Sequence, residues 1–369
     1  MTFKVRYSYL LEQFADPKPI LDEIGRLVAT GDFTLGKPVA QFEERFAALI
    51  GTRYAIGVGS GTDALKLPLK ALGIGHGDEV ITAANTFIAT VGAIAETGAK
   101  PVLVDCDDSF CMDVNLIEAA ITPRTKAIMP VQFTGDVVDM KRLMTLAAKH
   151  KLPVIEDACQ GIFSEFDGKR SGTWGIASGF SLHPLKNLNV WGDAGIIVTN
   201  DEGMNEKLRL IRNHGLKNRD EIAILGCNSR LDSVQAVVGN WLIGQTHDIT
   251  DKRIANAGYY DAALGALPQI RIPSRRTNVK RVYHLYMVFA KDRDALFQHC
   301  LDNGVEAKVH YPIPLYQQEG LRPLGYAPGT FPVTDRHAGE VISFPVDQHI
   351  TRAQQDIVID TVRSFYAKR

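Results

Sequence analysis

Lys186 stands between an apolar run at 179–182 and a glycine-rich return at 192–195, with Ser181, His183 and Asn187 around it. Burial at such a junction disfavours the ammonium form, and the neutral amine is a Schiff-base nucleophile. Taken alone, it reads more readily as one solvated loop residue among 41 lysines and arginines. Other residues of chemical interest follow apolar runs in the same way. In GVGSGTDAL, Gly59, Gly61 and Thr62 open a helical pattern, where free N–H groups and the helix dipole suit an anion. An ordinary tight turn fits that run as well. Asp157 ends the run PVIED, where a carboxylate could face a ligand or cap a helix. Phe87 precedes a helical pattern and could stack on a flat ring, although core packing is its commoner use.

These residues need a scaffold that brings strand ends together. Strand-like runs at 54–59, 79–83, 101–105, 127–132 and 153–157 alternate with helical patterns at 62–72, 88–97 and 140–150. The alternation predicts a mostly parallel sheet flanked by helices, with ligands at the carboxyl ends of its strands. At 180–182 and 196–199 two strands follow closely with no helix between them. Residues 231–264 read as one long or kinked helical stretch connecting two domains. Beyond it, strands at 284–290 and 307–309 and helices at 292–303 and 352–366 predict a smaller C-terminal α/β domain. The expected division is a large domain with an N-terminal arm over 1–245 and a small domain over 246–369.

Composition narrows the class. The 369 residues carry a net charge of -1, without the basic excess of a nucleic-acid binder. The N-terminus has scattered charge and no long apolar run, so neither a signal peptide nor a membrane span is expected. Five cysteines without a C-x-x-C pair argue against a disulfide framework or zinc ribbon and for a reducing cytoplasm. The ten histidines form no metal-ligand motif, so no metal is expected. No G-x-S-x-G elbow joins a strand to a helix, which disfavours a serine hydrolase. GVGSGT also lacks the G-x-G-x-x-G spacing of a nicotinamide oxidoreductase.

FSLHPLKNLNVWGDAG at 180–195 resembles the cofactor-lysine segment of the DegT/StrS family of sugar aminotransferases, which are fold-type I pyridoxal phosphate enzymes. EDACQ at 156–160 resembles the family's EDAAQ, and NTFIAT at 85–90 its TFVAT run. RNHG at 212–215, GCNSRLD at 226–232, VYHLY at 282–286 and VHYPIPLY at 309–316 match in order. The resemblance extends from FTLGKPVAQFEERFA at 33–47 to VISFPVD at 341–347. One departure is Ala194, where GDAG replaces the family's GEGG or GDGG; a change of fit is expected there, with the chemistry kept.

The resemblance implies that Lys186 binds pyridoxal 5'-phosphate covalently as a Schiff base. Gly61, Thr62 and Ser181 would hold its phosphate, Phe87 would cover the ring, Asp157 would pair with the pyridine nitrogen and Gln160 would lie near the phenolic oxygen. His183, His310 and Tyr311 would line the substrate side. Asn228 would reach the phosphate of a neighbouring subunit, which implies a homodimer with shared sites. Glu156 is left without a role. The implied reaction moves an amino group from L-glutamate to a nucleotide-linked keto sugar by a ping-pong mechanism, with the motif variants leaning towards the third carbon. Two related alternatives are a sugar dehydratase, which carries histidine in place of the lysine, and a cofactor-binding regulatory homologue without turnover.

Overall fold

The computed structural model describes residues 3–367. Its larger body is built on β1 (Tyr54–Val58), β2 (Glu79–Ala83), β3 (Lys100–Val104), β4 (Thr125–Met129), β5 (Ile155–Asp157), β6 (Ala177–Ser181) and β7 (Gly195–Thr199). Ladders join β3-β2-β4 and β5-β6-β7-β1. The bridges Ile128 to Val154 and Val131 to Asp157 continue the sheet from β4 into β5. Its order is therefore β3-β2-β4-β5-β6-β7-β1, and only β7 runs against its neighbours. That reversal explains the close spacing of β6 and β7 in sequence, because an antiparallel partner needs no helical crossover.

Helices cover both faces, so the strands read as nearly continuous apolar runs. Ile196 and Val198 of β7 pack with Phe42, Phe46 and Phe180 on one side, and Ile197 packs with Ile56, Leu67 and Leu208 on the other. The helices that flank the sheet are α1 (Lys18–Thr30), α2 (Lys37–Ile50), α3 (Gly61–Ala71), α4 (Ile88–Ala95), α5 (Met140–His150) and α6 (Glu202–Ile211). A buried carboxylate ties α2 to β1 and α6. Glu43 accepts from the Gly57 N–H at 2.8 Å, from Arg209 at 2.9 Å and from Arg212, whose guanidinium also donates to the Gly57 carbonyl at 2.7 Å. The arginine of RNHG thus braces the strand that leads into the glycine loop.

The helical stretch at 231–264 divides into α7 (Ser233–Leu242), a 3-10 turn and α8 (Thr246–Leu264). Ala257, Tyr260 and Leu264 of α8 enter the C-terminal core. There β8 (Ile270–Arg271), β9 (Tyr286–Ala290) and β10 (Val341–Phe344) form an antiparallel sheet. The helices α9 (Arg293–Asp302), α10 (Pro332–Glu340) and α11 (Arg352–Ala367) accompany it. Val5 and Tyr9 also pack into this core. The strand expected at 307–309 is not a ladder strand: Lys308 alone exchanges backbone hydrogen bonds with Ser343, at 3.0 and 2.8 Å. The chain then reaches Pro312, which has no N–H with which to continue a ladder. The C-terminal strand Val341–Phe344 takes that place beside β9 and was not expected from the pattern.

Candidate active site

A cavity of about 370 Å³ opens at the carboxyl ends of β1, β2, β5 and β6, within the range of small-molecule sites. Lys186, Asp157, Gln160, Gly61, Thr62, Phe87 and Ser181 all line it, as do His183, His310 and Tyr311. Asn228 does not: it is exposed, on a segment that bridges back to Asn213. Residues as far apart in sequence as 60 and 311 therefore meet at one sheet edge, where open α/β sheets bind ligands.

The glycine loop turns from β1 into α3. The Ser60 side chain caps that helix by accepting from the Asp63 N–H at 3.1 Å, and the Gly61 and Thr62 N–H groups have no intrahelical acceptor. Gly61 is required by space: a Cβ there would lie 2.6 Å from the Ser181 Cβ. Gly195, at the end of the lysine segment, would meet the Ser60 carbonyl oxygen at 2.1 Å if it carried one. The helix N-terminus and Ser181 are thus pressed together into one polar cradle. Ala194 is buried in the adjoining core, and its φ is not positive, so its methyl group costs the loop nothing.

Asp157 and Glu156 point to opposite sides of β5, as strand alternation requires. Asp157 is 5 % exposed and accepts from Thr90 Oγ1 at 2.6 Å and from the Cys159 N–H at 3.1 Å. Thr90 is held in turn by Thr86, one helical turn earlier, at 2.7 Å. The carboxylate is anchored by one oxygen to each partner, and no helix follows it to be capped. Glu156 faces the interior and organises the turn before β6. It accepts from Gln132 Nε2 (3.1 Å), Ser178 Oγ (3.1 Å) and the N–H groups of Gly172 (3.0 Å), Trp174 (2.8 Å) and Gly175 (3.1 Å). Gln160 reaches back to accept from the Thr134 N–H at 2.7 Å.

Burial pushes the Lys186 amine below its ordinary pKa, partly opposed by Cys159 and Asp157. His284 lies beside it, with Nε2 3.4 Å from the lysine Nζ. Burial, reinforced by Lys186 and Arg253, holds this imidazole well below its usual range. Desolvation likewise lowers His310 to about 4, and its Nδ1 meets Ser343 Oγ at 2.8 Å. Burial and the nearby Asp157 raise Tyr311 to about 12. Phe87 is half exposed at the rim, its ring centroid 6.4 Å from that of Tyr311.

Sequence reasoning missed Thr90, Arg253 and His284. The i, i+4 spacing of Thr86 and Thr90 at a helix start was an available signal. His284 lay within VYHLY without a role, and Arg253 is aimed by tertiary contacts alone. A second alignment, Cys106 Sγ to His337 Nδ1 at 3.5 Å and His337 Nε2 to Asp108 at 3.3 Å, has the residue order of a nucleophile relay. Cys106 and His337 are buried beneath an exposed Asp108: desolvation raises the Cys106 thiol and lowers His337 to about 4, so the pair serves as packing. Among the described residues, no group of three or more His, Cys, Asp or Glu side chains is placed to hold a metal ion.

A desolvated amine at the mouth of an anion cradle, opposite a buried carboxylate, fits a phosphorylated aromatic aldehyde with a ring nitrogen. On this sheet order, those features define a pyridoxal phosphate enzyme of fold type I. The model of the DegT/DnrJ/EryC1/StrS aminotransferase family matches residues 16–363, and the chain belongs to that family. It is 39% identical over 345 residues to a dTDP-3-amino-3,4,6-trideoxy-alpha-D-glucose transaminase of Streptomyces venezuelae, covering 93% of this chain and 90% of the relative. It is also 39% identical over 366 residues to a Geobacillus stearothermophilus protein named as a pleiotropic regulatory protein, with 97% of each covered. Among solved structures, S. venezuelae DesV in complex with a ketimine intermediate superposes over 100% of both chains at a TM-score of 0.96 and 37% identity. The protein is a pyridoxal phosphate-dependent aminotransferase.

Proposed function

We propose that this enzyme transfers an amino group from L-glutamate to the third carbon of a nucleotide-linked keto sugar by a ping-pong mechanism. The observation that carries the reading is Lys186, a desolvated amine in a pocket shared with Asp157 and the Gly61–Thr62 helix end. The relative named as a 3-amino sugar transaminase supports the substrate class. When bound, pyridoxal phosphate supplies the electron sink for the negative charge left on the donor's α-carbon.

The chain's residues divide the remaining work. Gly61, Thr62 and Ser181 would hold the phosphate, Asp157 would keep the pyridine nitrogen protonated, Gln160 would serve the phenolic oxygen and Phe87 would shield the ring. Lys186 Nζ is the nucleophile that binds the cofactor and, once free, the base that takes the proton from the α-carbon. His183, His310 and Tyr311 line the sugar side. A lysine at position 186 disfavours the dehydratase alternative, which would carry histidine there. In domain terms, we assign residues 1–245 to the cofactor domain and 246–369 to the small domain, with the segment around Val5 and Tyr9 lent to the latter.

The direct test is the near-ultraviolet and visible spectrum of purified protein with added pyridoxal phosphate, before and after L-glutamate. Conversion of the visible band to the pyridoxamine form is expected, followed by its return with a dTDP- or UDP-linked 3-keto sugar. No band would remove the reading. A band that converts with no amino acid and returns with no keto sugar would favour a regulatory role, as in the name of the Geobacillus relative.

We infer that Asn228 completes the phosphate site of a second copy. It is exposed beside a segment whose apolar side chains face solvent in one chain, with Leu225 97% and Ile222 69% exposed. Such residues call for a covering partner. Mixed dimers of Lys186→Ala and Asn228→Ala chains are then expected to regain one intact site each, with turnover well above either parent. Verified subunit exchange without recovery would place Asn228 elsewhere. Among the described residues no helix is long and apolar enough to cross a membrane, and all five cysteines are unpaired; we place the enzyme in the cytoplasm.

A further inference from the structure

A closed ring of buried hydrogen bonds passes through the Lys186 loop and returns to the lysine's own amine. The Lys186 carbonyl accepts from Asn189 Nδ2 at 2.8 Å, and Asn189 Oδ1 accepts from Gln13 Nε2 at 2.9 Å. Gln13 Oε1 accepts from Gln348 Nε2 at 2.8 Å, and Gln348 Oε1 from Arg253 Nε at 2.9 Å. Arg253 Nη1 donates to the backbone carbonyl of His284 at 3.4 Å, with Asp347 3.2 Å from its Nη2. His284 Nε2 closes the circuit at Lys186 Nζ, 3.4 Å away. Asn189, Gln13, Gln348 and Arg253 are each at most 9% exposed.

The direction of every amide in this ring is dictated by its ends. Guanidinium only donates, so Gln348 must turn its oxygen towards Arg253 and its NH2 towards Gln13. A backbone carbonyl only accepts, so Asn189 must turn its NH2 towards Lys186. Gln13, between the two, has one orientation that satisfies both neighbours. A buried network with a single satisfied arrangement rigidifies the groups it joins, because any displaced member leaves a desolvated donor or acceptor unpaired.

We propose that His284 is a positioning residue for the Lys186 amine, held in register with the lysine loop by this ring, and that the N-terminal segment takes part through Gln13. The inference rests on Lys186 being the cofactor-binding lysine. Gln13 lies 176 residues from Asn189 and 335 from Gln348 in sequence, so the ring joins the N-terminal segment, the lysine loop and the C-terminal body at one place. The groups facing His284 are cationic or neutral: Lys186, Arg253, His310 and His183, and with its burial they keep the imidazole unprotonated. With the imidazole proton on Nδ1, Nε2 accepts a hydrogen bond from the lysine amine and fixes the direction of that amine. Arg253, with donors committed to Gln348, Asp347 and the backbone carbonyls of Tyr283 and His284, lines the cavity and braces His284 from behind its backbone.

The test measures how fast Lys186 captures pyridoxal phosphate, independently of turnover. Cofactor-free protein is mixed with pyridoxal phosphate, quenched with borohydride at intervals, and the labelled Lys186 peptide is quantified by mass spectrometry. His284→Phe is expected to slow capture about tenfold, the order of effect of one hydrogen bond to a reacting group. His284→Asn, whose amide oxygen can accept, should recover part of the rate. Gln13→Leu should slow capture in the same direction. Wild-type capture by folded His284→Phe, or capture by His284→Asn no faster than by His284→Phe, overturns the role of His284, and wild-type capture by folded Gln13→Leu overturns that of the ring. Wild-type protein that is never labelled at Lys186 overturns the reading of the site itself.

Discussion

Lys186→Ala is expected to fold, to retain noncovalent affinity for pyridoxal phosphate and to lose turnover by about 10³-fold or more. The size follows from the two roles combined in one amine. The variant has no nucleophile to hold the cofactor and no base at the α-carbon, and general acid–base catalysis alone is worth about 10²–10⁴-fold. The phosphate cradle at Gly61 and Thr62 and the carboxylate of Asp157 are left in place, so binding and catalysis separate. Steady-state turnover measured beside cofactor content makes the distinction, and an alanine variant with wild-type turnover would remove Lys186 from the reaction.

The same substitution has a pH signature in the cofactor-free protein. Burial lowers the folded-state pKa of Lys186 below its ordinary 10.5. Between the lowered value and 10.5 the unfolded chain binds more protons than the folded one, so stability rises with pH across that window. The alanine variant lacks this contribution. Denaturant titrations of both proteins at several alkaline pH values should show a shallower rise for the variant.

Glu156→Ala is expected to produce the largest loss of stability, at least about 3 kcal/mol, since each buried donor left unpaired costs about 1–3 kcal/mol. Five donors converge on this carboxylate, which is 0% exposed. Three are backbone N–H groups of the turn that launches β6, the strand ending at Ser181. The turn has little freedom to adjust: a Cβ on Gly175 would lie 2.2 Å from the Val154 carbonyl oxygen. Glu156→Gln should fall between, since its amide replaces one acceptor oxygen with a donor. Urea unfolding of the three proteins measures the series, and a wild-type midpoint for Glu156→Ala would show that the turn is held by other means.

The outline of the sheet was legible because its strands are buried on both faces. The expected run at 79–83 coincides with β2, and Met140–His150 is the helix its spacing predicts. The short antiparallel pair Ala177–Ser181 and Gly195–Thr199 was legible as a break in the alternation. The segment at 307–309 misled, since apolar alternation registers burial without registering whether a neighbouring strand is present. Glu156 and Asp157 illustrate a sharper limit. Adjacent carboxylates in one strand have indistinguishable sequence signals, and only the pleat turns one to the pocket and the other to five interior donors.

By itself the sequence determined the family and the order of the motifs and singled out Lys186 as the candidate lysine, because those depend on residue type and local spacing. Tertiary structure alone decided which side chains support them. The Thr90 bond to Asp157 and the ring from Gln13 through Gln348 and Arg253 to His284 join residues tens to hundreds of positions apart. A hydrogen bond requires atoms within about 3 Å and in line, and no periodicity along the chain encodes which distant segments folding will bring that close.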